Sequence, residues 1–260
     1  MQPPTLPRMA DILAQAARTG EAVEQFGGSL TLPRAYEVQR LLLDRRRAEG
    51  ASYIGPKLGF TSRAKMAQMG VDEIIMGWLV DDMQIENGGQ LSLDALVHPR
   101  IEPEIAFRLG RAVDVEGPSE DIVRAVDAVA PALEVIDSRY LDFTFSLADV
   151  VADNTSACRF VIGDWSDVTS GDALDDLAVT LSIDGNTVET GSTSAILGNP
   201  WAALLEIVPL ARRYGFELPS GSVILAGAAT AAVPLTASTA ITATVDTLGT
   251  VSLEVTVGTG

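Results

Sequence analysis

Two carboxylates stand two residues apart in the segment 100–107, whose sequence is Arg-Ile-Glu-Pro-Glu-Ile-Ala-Phe. Apolar and acidic residues alternate there, which predicts a β-strand, because successive strand side chains point to opposite faces. Glu102 and Glu104 then share one face. A second apolar segment, 131–137, carries Glu134 in its middle. Three carboxylates on strand backbone suggest a site for a hard divalent cation such as Mg²⁺ or Mn²⁺, which prefers oxygen ligands.

The solvated face of a half-buried sheet is the plainer interpretation of Glu102 and Glu104. Glu134 fits that interpretation less well. Its neighbours Leu133 and Val135 are apolar, and a buried carboxylate requires a partner or a cation. Spacing alone leaves both interpretations open.

Lys57 is a candidate functional ammonium. Of the 18 basic residues only Lys57 and Lys65 are lysines, and Lys57 lies between Pro56 and Leu58. A lysine ammonium is a compact charge that responds strongly to an apolar setting. The only histidine, His98, precedes a proline and does not complete a Ser/His/Asp or Cys/His triad.

Composition excludes several classes of protein. A chain of 260 residues that is 47% hydrophobic can bury a sizeable core. The net charge of −17 argues against a nucleic-acid partner, whose phosphates it would repel. We find no unbroken run of about 18 apolar residues, so we expect no membrane span, and the N-terminus lacks the pattern of a secretory signal. The single cysteine, Cys158, fits a reducing cytoplasm.

Periodicity predicts helices followed by a mostly β region. Short strands at this density favour a barrel or sandwich over a doubly wound sheet, and the chain has no Walker loop or dinucleotide fingerprint. The predicted helices are 6–19, 33–49, 63–69, 119–130 and 200–214. The segment 54–62 is predicted to be a short strand that runs into the helix 63–69. The other predicted strands, besides the two glutamate segments, are 77–86, 177–183, 187–189, 222–226, 241–246 and 251–257.

Four segments in order resemble the hydratase/decarboxylase branch of the fumarylacetoacetate hydrolase superfamily. They read KLGFTS, PRIEPEIA, PALEVIDSR and VADN, and begin at residues 57, 99, 131 and 151. The resemblance implies an α+β fold: a small helical N-terminal region, 1–52, and a mixed β-barrel or β-roll of the fumarylacetoacetate hydrolase C-terminal type, 53–260. It also implies a Mg²⁺ or Mn²⁺ site with Glu102, Glu104 and Glu134 as ligands and Lys57 as the catalytic pocket lysine.

This branch hydrates 2-hydroxypenta-2,4-dienoate or decarboxylates 2-oxo-3-hexenedioate. Ile75 stands where the hydratases resembled carry an aspartate, so the resemblance implies the decarboxylase chemistry of meta-cleavage aromatic catabolism. A 2-oxopent-4-enoate hydratase and a non-catalytic homologue that partners a hydratase remain alternatives. A superfamily hydrolase is less favoured, because no machinery that activates an attacking water stands out in the sequence.

The resemblance also implies contacts around the metal site. We expect Ile75, Asp137, Arg139, Ser156 and Thr230 to line a pocket for a small 2-oxo-dicarboxylic acid. For Arg139 an ion pair with Asp137 or Asp142 that shapes the loop is the alternative. Expected partners are further copies of the chain in a homo-oligomer and a dienoate hydratase. We expect a cytoplasmic enzyme with no nucleic-acid or membrane partner.

Overall fold

Two antiparallel helices form the N-terminal part of this computed structural model, which describes residues 4–62, 66 and 73–258. Helix α1, Leu6–Thr19, ends at Gly20, whose φ of 69° is left-handed and therefore suits glycine. Helix α2, Leu32–Ala48, packs on α1 and carries three arginines in its last turn, where they face the negative end of the helix dipole. Both match the sequence predictions. The predicted helix 63–69 lies outside the described residues.

The β region consists of two sheets. The larger sheet has the order β2-β1-β11-β5-β6-β7-β3, with β12 paired to β5 and β8 paired to β6. The smaller sheet has the order β10-β9-β13-β14-β4. The larger sheet contains β1 Tyr53–Gly59, β2 Ile75–Val80, β3 Gln84–Ile85, β5 Pro99–Leu109, β6 Val126–Asp137, β7 Ala157–Ile162, β8 Ser166–Asp167, β11 Val223–Ala228 and β12 Val233–Pro234. The smaller sheet contains β4 Gln90–Ser92, β9 Ala178–Ile183, β10 Asn186–Ser192, β13 Thr239–Val245 and β14 Gly249–Thr256.

Within the described ranges, three more α-helices lie between strands: α3 Glu120–Ala125, α4 Leu147–Ala152 and α5 Pro200–Tyr214. The predicted helix 119–130 was wrong in its second half. The chain becomes strand at residue 126, because this apolar stretch pairs with β5 along the sheet and tertiary pairing overrides local periodicity.

The predicted strand 77–86 was also wrong as one element. A 3₁₀ turn, Asp81–Met83, separates β2 from β3. The side chain of Asp81 accepts a hydrogen bond from the backbone N–H of the next residue, Asp82, and another from the backbone N–H of Ser52, each at 2.9 Å. Aspartate side chains that bond nearby backbone favour turns over strands.

Two apolar cores decide which way the glutamate strands face. Ile101, Leu133 and Val135 pack with the smaller sheet, in a cluster that includes Leu253. Strand alternation then turns Glu102 and Glu134 toward the other side of β5 and β6. The architecture is the expected α+β fold with a mixed sheet and few helices.

Buried hydrogen bonds join the helical region to the β region. The Nε2 atom of Gln39 on α2 donates to the carbonyl oxygens of Met76 and Val151, each at 2.9 Å. The division into 1–52 and 53–260 stays a prediction.

One segment of the described chain, Thr193–Tyr214, is long and apolar enough to cross a membrane by length and composition alone. It contains α5, which packs against α3 and β11, and 44% of its apolar window is buried inside the protein. The core helix of a soluble protein passes the same test, so this segment gives no argument for a membrane span.

Candidate metal centre and pocket

The three predicted glutamates meet on the inner face of β5 and β6. The antiparallel register places Glu102 directly opposite Glu134, and Glu104 follows two residues further along β5. One carboxylate oxygen from each residue lies within 4.8 Å of the others. Glu104 and Glu134 are each 1% exposed, whereas Glu102 is half-buried. We call these three residues the glutamate cluster.

The hydrogen bonds of the glutamate cluster are incomplete. The backbone N–H of Gly227 donates to Oε2 of Glu104 at 2.9 Å. The Lys57 ammonium lies 3.0 Å from Oε2 of Glu134. Among the described residues, however, no hydrogen-bond donor reaches Oε1 of Glu134, although this atom is buried. A buried, orphaned carboxylate oxygen costs free energy that a bound cation would offset.

Burial, with repulsion from neighbouring carboxylates, raises the pKa values of the two inner glutamates. For Glu104 burial acts first and the charge of Glu134 second, so its pKa lies well above the ordinary value. For Glu134 burial raises the pKa, while the Lys57 charge opposes the shift. A divalent cation reverses this balance by favouring the ionised carboxylates. Both the donor set and its electrostatics therefore fit a Mg²⁺- or Mn²⁺-type ion.

Strand β1, which is separated from β5 by β11 in the larger sheet, brings Lys57 to the cluster. The residue is 3% exposed. Its ammonium donates to the carbonyl oxygen of Thr155 at 3.1 Å, besides contacting Glu134. Gly77, its partner on β2, leaves room for it: a Cβ there would lie 2.6 Å from the carbonyl oxygen of Asn154 and 3.1 Å from Cδ of Lys57.

A strained turn fixes the acceptor of Lys57. Asn154, Thr155 and Ser156 have φ values of 51°, 54° and 56°, which are left-handed and costly for residues with a Cβ. The side chain of Asn154 accepts from the N–H of Trp78 at 2.8 Å and donates to its carbonyl oxygen at 3.0 Å. Strain of this kind persists only where surrounding bonds hold it, and here it orients a carbonyl toward the pocket ammonium.

A cavity of about 200 Å³ opens at the glutamate cluster, and we call it the carboxylate pocket. Its wall is apolar on several sides. The residues that line it include Lys57, Ile75, Arg100, Glu102, Glu104, Ile136, Phe143, Phe145, Val150 and Ser156. Two site residues predicted from the resemblance, Ile75 and Ser156, therefore adjoin the predicted metal ligands.

Asp137, Arg139 and Thr230 are not among the described residues that line the carboxylate pocket. Asp137 is three residues from Glu134 on an unbroken stretch of β6, so its side chain points to the opposite face. There its carboxylate accepts the backbone N–H groups of Val97 and His98. The geometry gives Asp137 a structural role at the start of β5.

Arg139 likewise turns away from the pocket. Its Nε lies 2.6 Å from Oδ1 of Asp153, and both side chains are buried. This matches the alternative of a structural ion pair, with a different aspartate as the partner. Arg139 and Asp137 line a separate cavity of about 620 Å³ between the N-terminal helices and the β region. The hydroxyl of Thr230 donates to the neighbouring carbonyl oxygen of Ala231.

Sequence reasoning missed Arg100 as a pocket residue. Its guanidinium lies 4.1 Å from the ring centroid of Phe143, and both residues line the pocket. Strand parity contained the signal, because Arg100 is two residues from Glu102 and shares its face. The contact of Phe143 with Arg100 could not be predicted from the sequence, because it depends on the course of the loop after β6.

Comparison with known proteins gives a consistent result over the whole chain. Residues 73–256 match the family model described as fumarylacetoacetate (FAA) hydrolase C-terminal. A 4-oxalocrotonate decarboxylase from a Pseudomonas species is 47% identical over 251 residues, which cover 96% of this chain and 97% of that protein. A 2-keto-4-pentenoate hydratase from Paraburkholderia xenovorans strain LB400 is 35% identical over 232 residues, covering 88% and 86%.

A solved structure has the same fold. It is described as 4-oxalocrotonate decarboxylase from Pseudomonas putida G7, complexed with magnesium and adipate. The TM-score is 0.89 at 35% identity, and the match covers 96% of this chain and 97% of that one.

Proposed function

Because this chain belongs to the fumarylacetoacetate hydrolase family and resembles 4-oxalocrotonate decarboxylases along its length, we propose that it is a Mg²⁺- or Mn²⁺-dependent carboxy-lyase. Its substrate is 2-oxo-3-hexenedioate, also called 4-oxalocrotonate, and its products are 2-hydroxypenta-2,4-dienoate and CO₂. One observation carries the proposal: three glutamates cluster, Glu134 among them has an orphaned buried oxygen, and the other two line a pocket with a largely apolar wall.

The proposed ligands are Glu102, Glu104 and Glu134, and the proposed catalytic residue is Lys57. When bound, the divalent cation acts as a Lewis acid for the negative charge that develops at the C2 oxygen of the substrate. A six-carbon dicarboxylate, adipate, occupies the related structure together with magnesium. This supports a metal-dependent site for an acid of the same length.

The electron flow of the reaction requires no nucleophile. The electron pair of the C5–C6 bond forms a C4–C5 double bond as CO₂ leaves. The C3–C4 pair moves to C2–C3, and the C2 carbonyl pair moves onto oxygen. That oxygen takes up one proton to give the 2-hydroxydienoate. Lys57, held by Glu134 and the carbonyl oxygen of Thr155, is the proposed donor of this proton or of a hydrogen bond to the same oxygen.

Ile75 supports decarboxylation over hydration. Its side chain is 1% exposed and lines the carboxylate pocket. With Val150 and Phe145 it provides a dry wall, and a dry wall favours loss of a carboxylate as neutral CO₂. An aspartate here would place another negative charge near the substrate. The similarity to a hydratase makes water addition to 2-hydroxypenta-2,4-dienoate the second candidate activity.

The decisive experiment measures CO₂ release from 2-oxo-3-hexenedioate with Mg²⁺ and after addition of a chelator. We expect release that stops with the chelator and returns with excess Mg²⁺. Water addition to the dienoate without CO₂ release would instead establish the hydratase. An Ile75→Asp variant is expected to lose decarboxylation while retaining Mg²⁺ binding; unchanged turnover would show that the dry wall is not needed.

We further propose that the product passes to a dienoate hydratase and that the enzyme works in the cytoplasm as a homo-oligomer. The 2-hydroxydienoate is the substrate class named for a related hydratase. Copurification of the two enzymes, with light scattering of each alone, tests both assemblies.

A further inference from the structure

Arg100 places a second cation in the carboxylate pocket. It lies on β5, shares the face of Glu102 and is half-buried. Its guanidinium stacks over the Phe143 ring at 4.1 Å. Within the described part of the chain it forms no ion pair with a carboxylate. A half-buried guanidinium held on a ring, with its donors unused by neighbouring acids, suits a ligand carboxylate.

Arg100 and two residues of the glutamate cluster line the same pocket. Arg100 is two residues from Glu102 on β5 and shares its face, and Glu102 and Glu104 line the carboxylate pocket with it. A substrate with its 2-oxo acid end at the cluster therefore has a guanidinium within the same pocket to meet its distal carboxylate.

Charge balance points the same way. The substrate brings two carboxylates, and of the described residues lining the pocket Arg100 and Lys57 are the cations. Lys57 already lies 3.0 Å from Oε2 of Glu134. Arg100 has no such carboxylate contact among the described residues, so its charge is the one available to a second ligand carboxylate.

We propose that Arg100 binds the distal carboxylate and selects dicarboxylic over monocarboxylic 2-oxo acids. The inference rests on the proposed function and adds the residue that determines its substrate class. The ion pair forms with the substrate and is lost as CO₂ departs. It therefore stabilises the bound substrate more than the transition state, and its removal raises KM while kcat is kept or rises.

The test compares two stable 2-oxo acids that differ at one end. The first, 2-oxoadipate, has the length and both carboxylates of the substrate, and the second, 2-oxohexanoate, lacks the distal carboxylate. Calorimetry in saturating Mg²⁺ gives the ratio of their dissociation constants for the wild type and for Arg100→Met. Arg108→Met is the matched control. Arg108 lies on the same strand, stacks on Trp165 at 5.4 Å and pairs with Asp127 outside the pocket.

We expect the wild type and Arg108→Met to bind 2-oxoadipate more tightly than 2-oxohexanoate. In Arg100→Met the ratio of the two dissociation constants should shrink by roughly ten- to hundredfold, which is the usual range for a charge-assisted hydrogen-bonded pair. Arg100→Lys keeps the positive charge but loses the paired N–H donors of the guanidinium. Its preference for 2-oxoadipate should therefore lie between those of the wild type and Arg100→Met. A folded Arg100→Met that keeps the full preference overturns the inference while leaving the decarboxylase intact. A wild type that binds neither acid and releases no CO₂ refutes the proposed function itself.

Discussion

Glu104→Gln should stabilise the metal-free protein while removing its response to Mg²⁺. In the folded chain Glu104 is 1% exposed, and its Oε2 accepts the backbone N–H of Gly227. A glutamine carbonyl oxygen can accept the same bond, so the substitution removes a charge and little else. Neutralising a buried carboxylate whose neighbours are also acidic should increase the free energy of unfolding by about 1–3 kcal/mol. For a chain of this size that is a rise in Tm of roughly 3–10 °C.

Mg²⁺ should reverse the order of stability. An ion present at 100 times its Kd stabilises the wild type by about 2.7 kcal/mol, whereas a variant with one ligand neutralised should gain far less. Thermal unfolding of wild type and Glu104→Gln, each with chelator and with excess Mg²⁺, should therefore give the variant the higher Tm with chelator and the wild type the higher Tm with Mg²⁺. Glu254→Gln, on an exposed strand position, is the control and should behave as the wild type. A Glu104→Gln protein that is less stable without metal, or equally stabilised by Mg²⁺, would refute the reasoning.

The pH dependence adds a second signature. Burial raises the pKa of Glu104, so the folded metal-free protein binds a proton there more tightly than the unfolded chain does. This contribution to stability is complete below the unfolded pKa and is lost as pH rises through the folded pKa. The advantage of Glu104→Gln over the wild type without metal should consequently widen as the pH rises above the ordinary pKa of a glutamate.

Three further predictions concern residues that line the separate cavity of about 620 Å³. Asn154→Ala removes both hydrogen bonds to the Trp78 backbone. It should lower kcat more than it raises KM, because the left-handed turn no longer holds the acceptor of the pocket lysine; equal kcat would contradict this. Arg139→Met leaves Asp153 buried and unpaired. It should cost about 3–5 kcal/mol in urea unfolding, and a double replacement that also removes the carboxylate should recover part of this loss. Burial raises the pKa of Cys158 to about 11, so a thiol reagent at about pH 8 should label the unfolded but not the folded protein.

The sequence determined the local features of the site. Alternation along β5 set Glu102 and Glu104 on one face, because a strand backbone leaves no other choice. The same parity placed Arg100 beside them and turned Asp137 away from Glu134, so both were open to inference from the sequence. The helices 6–19 and 200–214 followed from their apolar periodicity and from the glycines at their ends.

Tertiary structure determined which side chains of the site lie next to each other. Only the pairing of β5 with β6 placed Glu102 opposite Glu134, since register depends on which face each strand buries against the other sheet. The approach of Lys57 from β1 and the three left-handed residues of the turn 154–156 are set by packing and hydrogen bonds between segments far apart in the chain. No local propensity encodes them, because an isolated segment would relax out of such strain.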